Sequence, residues 1–304
     1  MTLTHEEWLK ERQKGIGGSD AAAIIGLSPW ATPYTVWADK TGRIPPKEDN
    51  EAMRQGRDLE QYVADRWMEA TEKKCRRRTK IIRNPDYPFA HANVDRWVVG
   101  ENAGLECKTT SVMNLKKFKN GEYPETYYCQ CVHYMAVTGA QRWYLAVLIL
   151  NQGFYTFVIK RDEEEIAALM EAERHFWQFV EKDTPPAVDG LKPTTEVLNT
   201  MYCLSQDNQA PMDLFGQEST IQAYLDTKSA IKALEQQKEQ YEQMLKESLG
   251  ENELGAAGAY LVKWKPQQRS TFQAKAFAKD HPEIDLSGYY KKSQFRKFEI
   301  KEES

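Results

Sequence analysis

Apolar residues recur at helical spacing through the first 70 residues, and short segments rich in glycine or proline separate these repeats. Thr4 and Glu7 form a capping-box pattern, which predicts a first helix that ends near Lys14. A glycine-rich turn follows, and Ser19 is the predicted N-cap of a second, alanine-rich helix that ends at Gly26. The chain is therefore predicted to begin with two short helices joined by a glycine turn.

The following segment predicts two more helices. Thr32 is a suitable cap and Pro33 a suitable first residue for a helix that runs to Gly42. A longer helix is predicted over residues 51–71, because apolar residues there recur every three or four positions. These apolar residues are Leu59, Val63, Trp67 and Ala70.

After residue 73 the pattern changes to the alternation and the β-branched and aromatic composition that are typical of strands. Turn residues predict two hairpins, with a helix between them and a closing helix after them. The hairpins pair residues 91–99 with 105–111 and residues 142–150 with 154–160, and the helices cover residues 124–137 and 162–182.

The sequence DTPPAVDG, residues 183–190, interrupts this periodic pattern and predicts a domain boundary. We place one domain at residues 1–184 and an extension at residues 185–304. The extension is predicted to contain one long amphipathic helix with nearly heptad apolar spacing and two short strands. The helix spans Ile221 to Leu249, and the strands cover residues 259–266 and 295–301.

The apolar face of the long helix has three possible partners. It can pack on the two strands of the extension, form an oligomer contact or dock a single-strand annealing protein, and we favour packing within the chain.

Composition and charge exclude few classes of function. The formal net charge is -4 and the pI is about 5.9, so nucleic-acid binding would depend on local basic segments such as KKCRRRTK and NLKKFKNG. Five cysteines, an odd number, follow an N-terminus without an apolar signal segment, which indicates a reduced cytoplasmic protein. The longest apolar run, residues 144–150, is much shorter than a membrane span of roughly 20 residues.

The sequence LECKTTS contains the candidate chemistry. Alternation along a strand places Glu106 and Lys108 on one face, with Leu105 and Cys107 on the other. The predicted hairpin brings Asp95 near Glu106, and two carboxylates beside a lysine suit Mg²⁺ or Mn²⁺ and phosphodiester hydrolysis. An ordinary cross-strand salt bridge on a surface hairpin would explain the same spacing.

Three more polar side chains could reach this place. Glu60 lies beside the apolar face of its predicted helix, where a metal ion, a salt bridge to Arg57 or partial exposure would compensate its charge. Gln130 and Tyr134 are four residues apart on a predicted helix, so their polar ends can meet, although simple core packing accounts for them too.

The glycine turn GIGGSD offers a possible anion site. The amino terminus of a helix carries free N–H groups, Ser19 adds a hydroxyl, and Arg12 precedes the turn, so a phosphate could bind there. A capped helix with Asp20 in its first turn is the simpler explanation. The glycine spacing does not match a dinucleotide-binding fingerprint.

Taken together, four ordered motifs resemble those of the YqaJ-like viral recombinases, the branch of the PD-(D/E)XK nuclease superfamily that contains bacteriophage lambda exonuclease. The resemblance spans roughly residues 6–179. The motifs are R-x₂-GIGGSDAAAIIGLSPW-x₂-PYTVW-x₃-TG, GRDLE, VD with LECK, and YYCQCVHYMAVTG. The family has P-D where this chain has Val94 and Asp95, and lambda exonuclease has a serine at the position of Asn93.

This resemblance implies an α/β (α+β) fold with a restriction-endonuclease-like core, in which helices flank a central mixed β-sheet. It implies a Mg²⁺-dependent enzyme, with Mn²⁺ as a substitute, that uses two metal ions to degrade linear double-stranded DNA from the 5′ end and leaves 3′ overhangs for recombination. The implied site consists of Asp95 and Glu106 as metal ligands, Glu60 at a second metal, Lys108 serving the attacking water, Gln130 and Tyr134 nearby, and Arg12, Ser19 and Asn93 at the 5′-phosphate.

The resemblance also implies a trimeric ring around DNA, a single-strand annealing protein as partner, and a phage or prophage gene expressed in the cytoplasm of a bacterial host. Three alternatives stay open: an endonuclease on the same core, an iron–sulfur nuclease that uses Cys129 and Cys131, and a non-catalytic DNA-binding or annealing module.

Overall fold

The computed structural model describes residues 5–204, 211–291 and 295–302. The chain divides into two compact units, Met1–Tyr202 and Cys203–Ser304, which we describe separately. Among the helices of the described residues, none is both long and apolar enough to cross a membrane.

Four helices precede the main sheet of the first unit. They are α1 (His5–Gln13), α2 (Gly18–Ile24), α3 (Pro33–Lys40) and α4 (Glu51–Thr71).

The caps of α2 and α3 show how these helices begin. Thr32 caps α3 as predicted, since its hydroxyl accepts a hydrogen bond from Thr35 N. The prediction that Ser19 caps α2 is wrong, because α2 begins two residues earlier, with Gly17 as its N-cap. The carboxylate of Asp20 accepts a hydrogen bond from Gly17 N at 3.0 Å, which fixes this earlier start. Thr4, the predicted cap of α1, lies outside the described residues.

In the described residues of the first unit, seven strands form two sheets. A five-stranded sheet has the order β1-β4-β5-β6-β7, and β2 pairs with β3 in a separate two-stranded sheet. Only the β5–β6 pair is parallel, so the main sheet is mixed. The strands are β1 (Cys75–Arg77), β2 (Ile82–Asn84), β3 (Tyr87–Ala92), β4 (Arg96–Val98), β5 (Ala103–Thr110), β6 (Arg142–Ile149) and β7 (Gly153–Lys160).

The predicted strand over residues 91–99 is divided in two. Of its two parts, β4 pairs with β5, whereas β3 ends at Ala92 and belongs to the small sheet. On its other side β3 bonds to the glycine turn, where Ile16 N donates to Phe89 O and His91 N donates to Ile16 O. This pairing draws β3 away from the main sheet and fixes the turn that precedes α2.

Helices cover both faces of the main sheet, which confirms the predicted fold class. The side chains of β6 alternate between two buried clusters. Trp143, Leu145 and Val147 pack in the cluster that includes α2, α3 and α5 (Glu125–Thr138). Tyr144 and Ala146 pack on the opposite face, against α4.

The first unit extends beyond the predicted boundary at residue 184. After α6 (Glu163–Glu181), the helix α7 (Lys192–Met201) packs on α3, with Thr194 Oγ1 2.8 Å from Thr32 Oγ1. Residues 185–202 therefore belong to the first unit rather than to the extension, because the proline segment bends the chain back onto the core.

The second unit contains the long helix α8 (Glu218–Leu249) and a hairpin of β8 (Leu254–Ala257) and β9 (Tyr260–Lys263), followed by α9 (Ala274–Asp280). The predicted strand over residues 259–266 corresponds to β9, which pairs with β8 across a two-residue turn, and the second predicted strand is wrong, because the described residues 295–301 form no strand. A short turn closes at a lower entropic cost than a loop of about thirty residues.

The expectation that the apolar face of α8 packs on strands of the extension is also wrong for most of the helix. Ile231, Leu234 and Tyr241 are each more than half exposed. Leu249, at the end of α8, is buried.

Candidate active site

The structure brings Asp95 and Glu106 together as predicted. In the antiparallel β4–β5 pair, Arg96 is opposite Leu105, so the residues on either side, Asp95 and Glu106, face each other across the end of the pair. Asp95 Oδ2 accepts a hydrogen bond of 2.9 Å from Cys107 N, which fixes the carboxylate against β5.

Lys108 shares the face of Glu106, as alternation along β5 requires. Its Nζ lies 2.6 Å from Glu106 Oε1 and donates a hydrogen bond of 2.8 Å to Gln130 Oε1. Burial lowers the pKa of Lys108, but the carboxylates of Glu106 and Asp95 raise it by more, so the net pKa lies above the ordinary value. Lys108 is therefore a cation at neutral pH.

Gln130 and Tyr134 meet on α5 and complete this network. Gln130 Nε2 donates to Glu106 Oε1 at 2.7 Å and to Tyr134 OH at 2.9 Å. Burial, and then the charge of Glu106, raise the pKa of Tyr134 well above its usual value, so the phenol keeps its proton. The helical spacing of four residues thus places both polar ends beside the carboxylate of Glu106.

The electrostatics of this network favour a cation. Burial, and then the negative charges of Glu106 and Glu60, raise the pKa of Asp95 well above its ordinary value, against the lowering effect of Lys108. Glu106 Oε2 is buried and has no hydrogen-bond partner among the described residues. A buried carboxylate oxygen without a partner, next to a second crowded carboxylate, is a binding position for a positive ion.

The carboxylates of Asp95 and Glu106 suit Mg²⁺, which keeps water ligands, better than they suit a metal ion that binds only protein side chains. Within the described ranges, no three residues among His, Cys, Asp and Glu are grouped so that they could hold a metal ion. Mg²⁺ is commonly bound by one or two carboxylates, with water and substrate phosphates as the other ligands. Asp95 and Glu106 match that arrangement, and they would hold the ion.

Glu60 lies on α4 and takes a different partner from those considered. Arg96 Nη1 donates to Glu60 Oε1, and Arg96 Nη2 donates to Gln61 Oε1 at 3.0 Å. Arg57, the partner suggested by the sequence, pairs with Asp49 instead. Sequence reasoning missed Arg96, although its position directly after Asp95 on a strand predicts that it points to the opposite face, toward α4.

Arg12 and Ser19 are in contact at the glycine turn. Arg12 Nη2 donates to Ser19 Oγ at 3.1 Å and lies 3.6 Å from Asp20 Oδ1. Sequence reasoning missed Lys40, whose buried Nζ lies 2.7 Å from Asp20 Oδ2 and donates to Arg12 O at 2.9 Å. Burial raises the pKa of Asp20, but Lys40 and Arg12 lower it by more, so this carboxylate is ionised and holds both cations.

The glycine turn and the carboxylate network are adjacent. A Cβ on Gly18 would lie 2.6 Å from Tyr134 Cε1 and 3.1 Å from Gln130 Cγ. The first turn of α2 therefore packs directly against the polar end of the network, through the contact of a glycine with an aromatic ring.

Asn93, the third predicted phosphate-binding residue, lies in the connection between β3 and β4, and its side chain is exposed. No hydrogen bond joins it to Arg12 or Ser19 within the part of the chain that is described. Its predicted role stays a prediction.

Exposed basic segments lie next to β4 and β5, the two strands that position the carboxylates. Arg76 and Arg77 belong to β1, which pairs with β4. Lys116, Lys117 and Lys119 lie on the 3₁₀ segment that follows β5 at residues 112–121, and all three are exposed. Positive charge is thus available on each side of the carboxylates.

A family model for the YqaJ-like viral recombinase domain matches residues 7–141 of the chain. The YqaJ protein of Bacillus subtilis (strain 168) is 40% identical over 306 residues, which cover 99% of this chain and 96% of that protein.

Solved structures with a similar fold include an alkaline exonuclease (LHK-Exo) from Laribacter hongkongensis. It has a TM-score of 0.52 and 22% sequence identity, and the match covers 59% of this chain and 93% of that one. LHK-Exo in complex with dAMP gives a TM-score of 0.51 at 21% identity, with the same coverage. At these identities the similarity concerns the fold. Since the identity to the Bacillus subtilis protein extends over nearly the whole chain, the resemblance seen in the motifs is confirmed, and this chain belongs to the YqaJ-like viral recombinase family.

Proposed function

We propose that this protein is a Mg²⁺-dependent deoxyribonuclease that shortens one strand of linear double-stranded DNA from its 5′ end and leaves a 3′ single-stranded overhang. The observation that carries the proposal is the buried carboxylate of Glu106, whose Oε2 has no hydrogen-bond partner among the described residues. Its Oε1 lies 2.6 Å from Lys108 Nζ, and Glu106 is opposite Asp95 in the β4–β5 register. Two carboxylates and a cation on one face are the groups that phosphodiester hydrolysis requires.

Asp95 and Glu106 would hold the metal ion. When bound, the metal supplies Lewis-acid polarisation of a phosphate oxygen and a lowered pKa for its water. Mn²⁺ should replace Mg²⁺, because both ions prefer oxygen ligands. Glu60 is proposed as a ligand of a second metal, and Arg96 fixes the position of its carboxylate.

Lys108 remains protonated, so its role is to orient the attacking water by hydrogen bonding and to offset negative charge that develops on the phosphate. Gln130 bonds both Lys108 and Glu106, which holds the cation and the carboxylate in a fixed relative position. Tyr134 in turn accepts a hydrogen bond from Gln130 and fixes the orientation of its amide.

The 5′ polarity is supported by the cluster at the glycine turn. Arg12 and Ser19 carry a guanidinium and a hydroxyl suited to a terminal phosphate, and Gly18 connects the helix of Ser19, α2, to the active-site network. Asn93 is proposed as a third contact to that phosphate. The solved complex of LHK-Exo with dAMP is consistent with a nucleoside monophosphate product.

The exposed basic segments on each side of the site support contact with the phosphates of a duplex, without base-specific reading. We also propose that the protein assembles as a trimeric ring and supplies overhangs to a single-strand annealing protein in the cytoplasm of a bacterial host. Family membership is the support for these two proposals.

One gel tests the main proposal. Linear duplexes labelled on one strand, with either a 5′-phosphate or a 5′-hydroxyl, and a closed circle are incubated with Mg²⁺ and with Mn²⁺. Asp95→Asn is the inactive variant, and Asp86→Asn, an exposed aspartate in the turn before β3, is the matched control.

We expect fast loss of the phosphorylated strand from its 5′ end, an intact circle, no cleavage by Asp95→Asn and full activity of Asp86→Asn. Cleavage of the circle would identify an endonuclease on the same core. DNA binding without cleavage by the wild-type protein under either metal would contradict the proposal and favour a binding or annealing module.

A further inference from the structure

Charge is distributed unevenly within the second unit. The helix α8 has four lysines and six acidic residues, whereas residues 259–301 contain ten Lys and Arg residues, four acidic residues and eight aromatic residues. A basic segment in which aromatic residues are interleaved is typical of surfaces that bind single-stranded nucleic acid.

The aromatic residues of this segment are exposed rather than packed in a core. Tyr260, Phe272, Tyr289, Tyr290 and Phe295 each expose more than 60% of their surface. Large exposed aromatic patches on a folded unit mark interaction sites.

Four of the aromatic rings surround one open groove of about 510 Å³. Phe272 and Phe277 contact each other with ring centroids 5.2 Å apart, and Tyr289 and Tyr290 complete the wall. The groove therefore offers several aromatic ring surfaces for planar, apolar groups.

Two exposed cations lie on the helix that contributes Phe277 to this groove, on the helix face turned away from the ring. Lys275 and Lys279 are exposed and four residues apart on α9, the helix that contributes Phe277. Neither lysine has an ion-pair or hydrogen-bond partner among the described residues. Their charges are available for phosphate groups.

We propose that the aromatic groove of Phe272, Phe277, Tyr289 and Tyr290, together with Lys275 and Lys279 on the outer face of α9, binds single-stranded DNA. Bases of a single strand can stack on the rings while the lysines of α9 contact phosphates of nucleotides that pass around the helix, and the bases of a duplex are not accessible for such stacking. The 3′ strand that the proposed nuclease leaves is single-stranded, so the inference extends the proposed function, but binding can be measured without any cleavage.

The test measures fluorescence anisotropy of labelled dT20 with the full-length protein carrying Asp95→Asn, so that the probe is not cut. The aromatic variant is Tyr289→Ala with Tyr290→Ala, and its matched control is Phe215→Ala, a 90% exposed aromatic of the same unit. The charge variant is Lys275→Gln with Lys279→Gln, and its matched control is Lys228→Gln with Lys232→Gln on α8. All of these side chains are exposed, so folding should be unaffected.

We expect the aromatic variant to bind dT20 at least tenfold more weakly than its control. The charge variant should reduce the slope of log affinity against log salt by about 1.4, since each phosphate contact to a single strand contributes about 0.7. Equal affinities of the variants and their controls would overturn the proposal, and a preference for rU20 over dT20 would overturn the assignment to DNA. Retained dT20 binding, together with a wild-type protein that does not cut duplex DNA under Mg²⁺ or Mn²⁺, would reject only the nuclease.

Discussion

Gly18 packs against the ring of Tyr134 so closely that even a methyl group would not fit between them. A Cβ on Gly18 would lie 2.6 Å from Tyr134 Cε1, which is below ordinary contact distance. Because Tyr134 bonds Gln130, and Gln130 bonds both Glu106 and Lys108, the helix that carries Ser19 is directly connected to the carboxylate network.

Gly18→Ala should therefore reduce nuclease activity as well as stability. Tyr134 and Gln130 must move to admit the methyl group, and overpacking of this kind costs about 1–3 kcal/mol of unfolding free energy. We expect a loss of about tenfold or more in the rate of duplex degradation, because the hydrogen bonds to Glu106 and Lys108 are displaced.

The matched control is Gly56→Ala, since Gly56 lies in α4 and an added Cβ there meets no atom closer than 3.9 Å. This variant should keep its activity and gain slightly in stability from the higher helix propensity of alanine. Full activity of Gly18→Ala would contradict the coupling between α2 and the network.

Lys108→Met should abolish most of the catalysis while leaving DNA binding nearly unchanged. It removes a cation that touches Glu106 and Gln130 and leaves the shape of the side chain similar. Loss of one such electrostatic group costs roughly 10²–10³ in rate. Single-turnover cleavage and DNA affinity measured on the same variant separate the two effects, with Lys160→Met, an exposed lysine at the end of β7, as the control. A large loss of affinity with normal single-turnover cleavage would assign Lys108 to binding instead.

The groups that share one element could be predicted from the sequence. Alternation along one strand placed Glu106 and Lys108 on one face, and helical spacing brought Gln130 to Tyr134. The contact of Asp95 with Glu106 could be predicted once the two strands were assigned to an antiparallel hairpin.

The contacts between distant elements could not be predicted in this way. The partner of Glu60 is Arg96, on another element, and periodicity gives no information on which element packs on which. The departure of β3 from the main sheet depends on its pairing with Ile16, more than seventy residues earlier. The buried Lys40 was missed for the same reason, because its partner Asp20 lies on a different helix.

Asp20→Asn should reduce the preference for phosphorylated 5′ ends. The Asp20 carboxylate holds Lys40 on one oxygen and lies near Arg12 on the other, so its loss frees Arg12 from its position beside Ser19. We expect the ratio of degradation rates on 5′-phosphate and 5′-hydroxyl duplexes to fall toward one. Removal of one partner of a buried pair also costs about 3 kcal/mol of stability.

The rate ratio is the informative measurement, because both rates scale equally with the amount of folded enzyme. Asp86→Asn serves again as the control and should keep the wild-type ratio. An unchanged ratio for Asp20→Asn would show that the cluster does not position a phosphate contact.

His91 should make the first unit less stable in acid. Its imidazole is 2% exposed, its Nδ1 has no hydrogen-bond partner within the described residues, and burial together with the charges of Lys40 and His133 lowers its pKa from 6.5 to about 3. Below pH 6.5 the imidazole of His91 binds a proton in the unfolded chain but not in the folded protein. The free energy of unfolding therefore falls as the pH falls, down to about pH 3.

His91→Phe removes this titrating imidazole, so the unfolding free energy of the variant should depend less on pH in the acidic range. Between pH 7 and pH 5, the wild-type unfolding free energy should fall by about 2 kcal/mol more than that of the variant, at about 1.4 kcal/mol per pH unit below 6.5. His133 acts in the opposite direction, because its raised pKa gives stability that is complete below pH 6.5 and is lost at higher pH, and it is present in both proteins. Urea unfolding followed by tryptophan fluorescence measures both profiles, and above pH 7 the two should run parallel. Parallel profiles down to pH 5 would mean that His91 accepts a proton in the folded state, for which the cavity around Nδ1 would have to admit water or an acceptor.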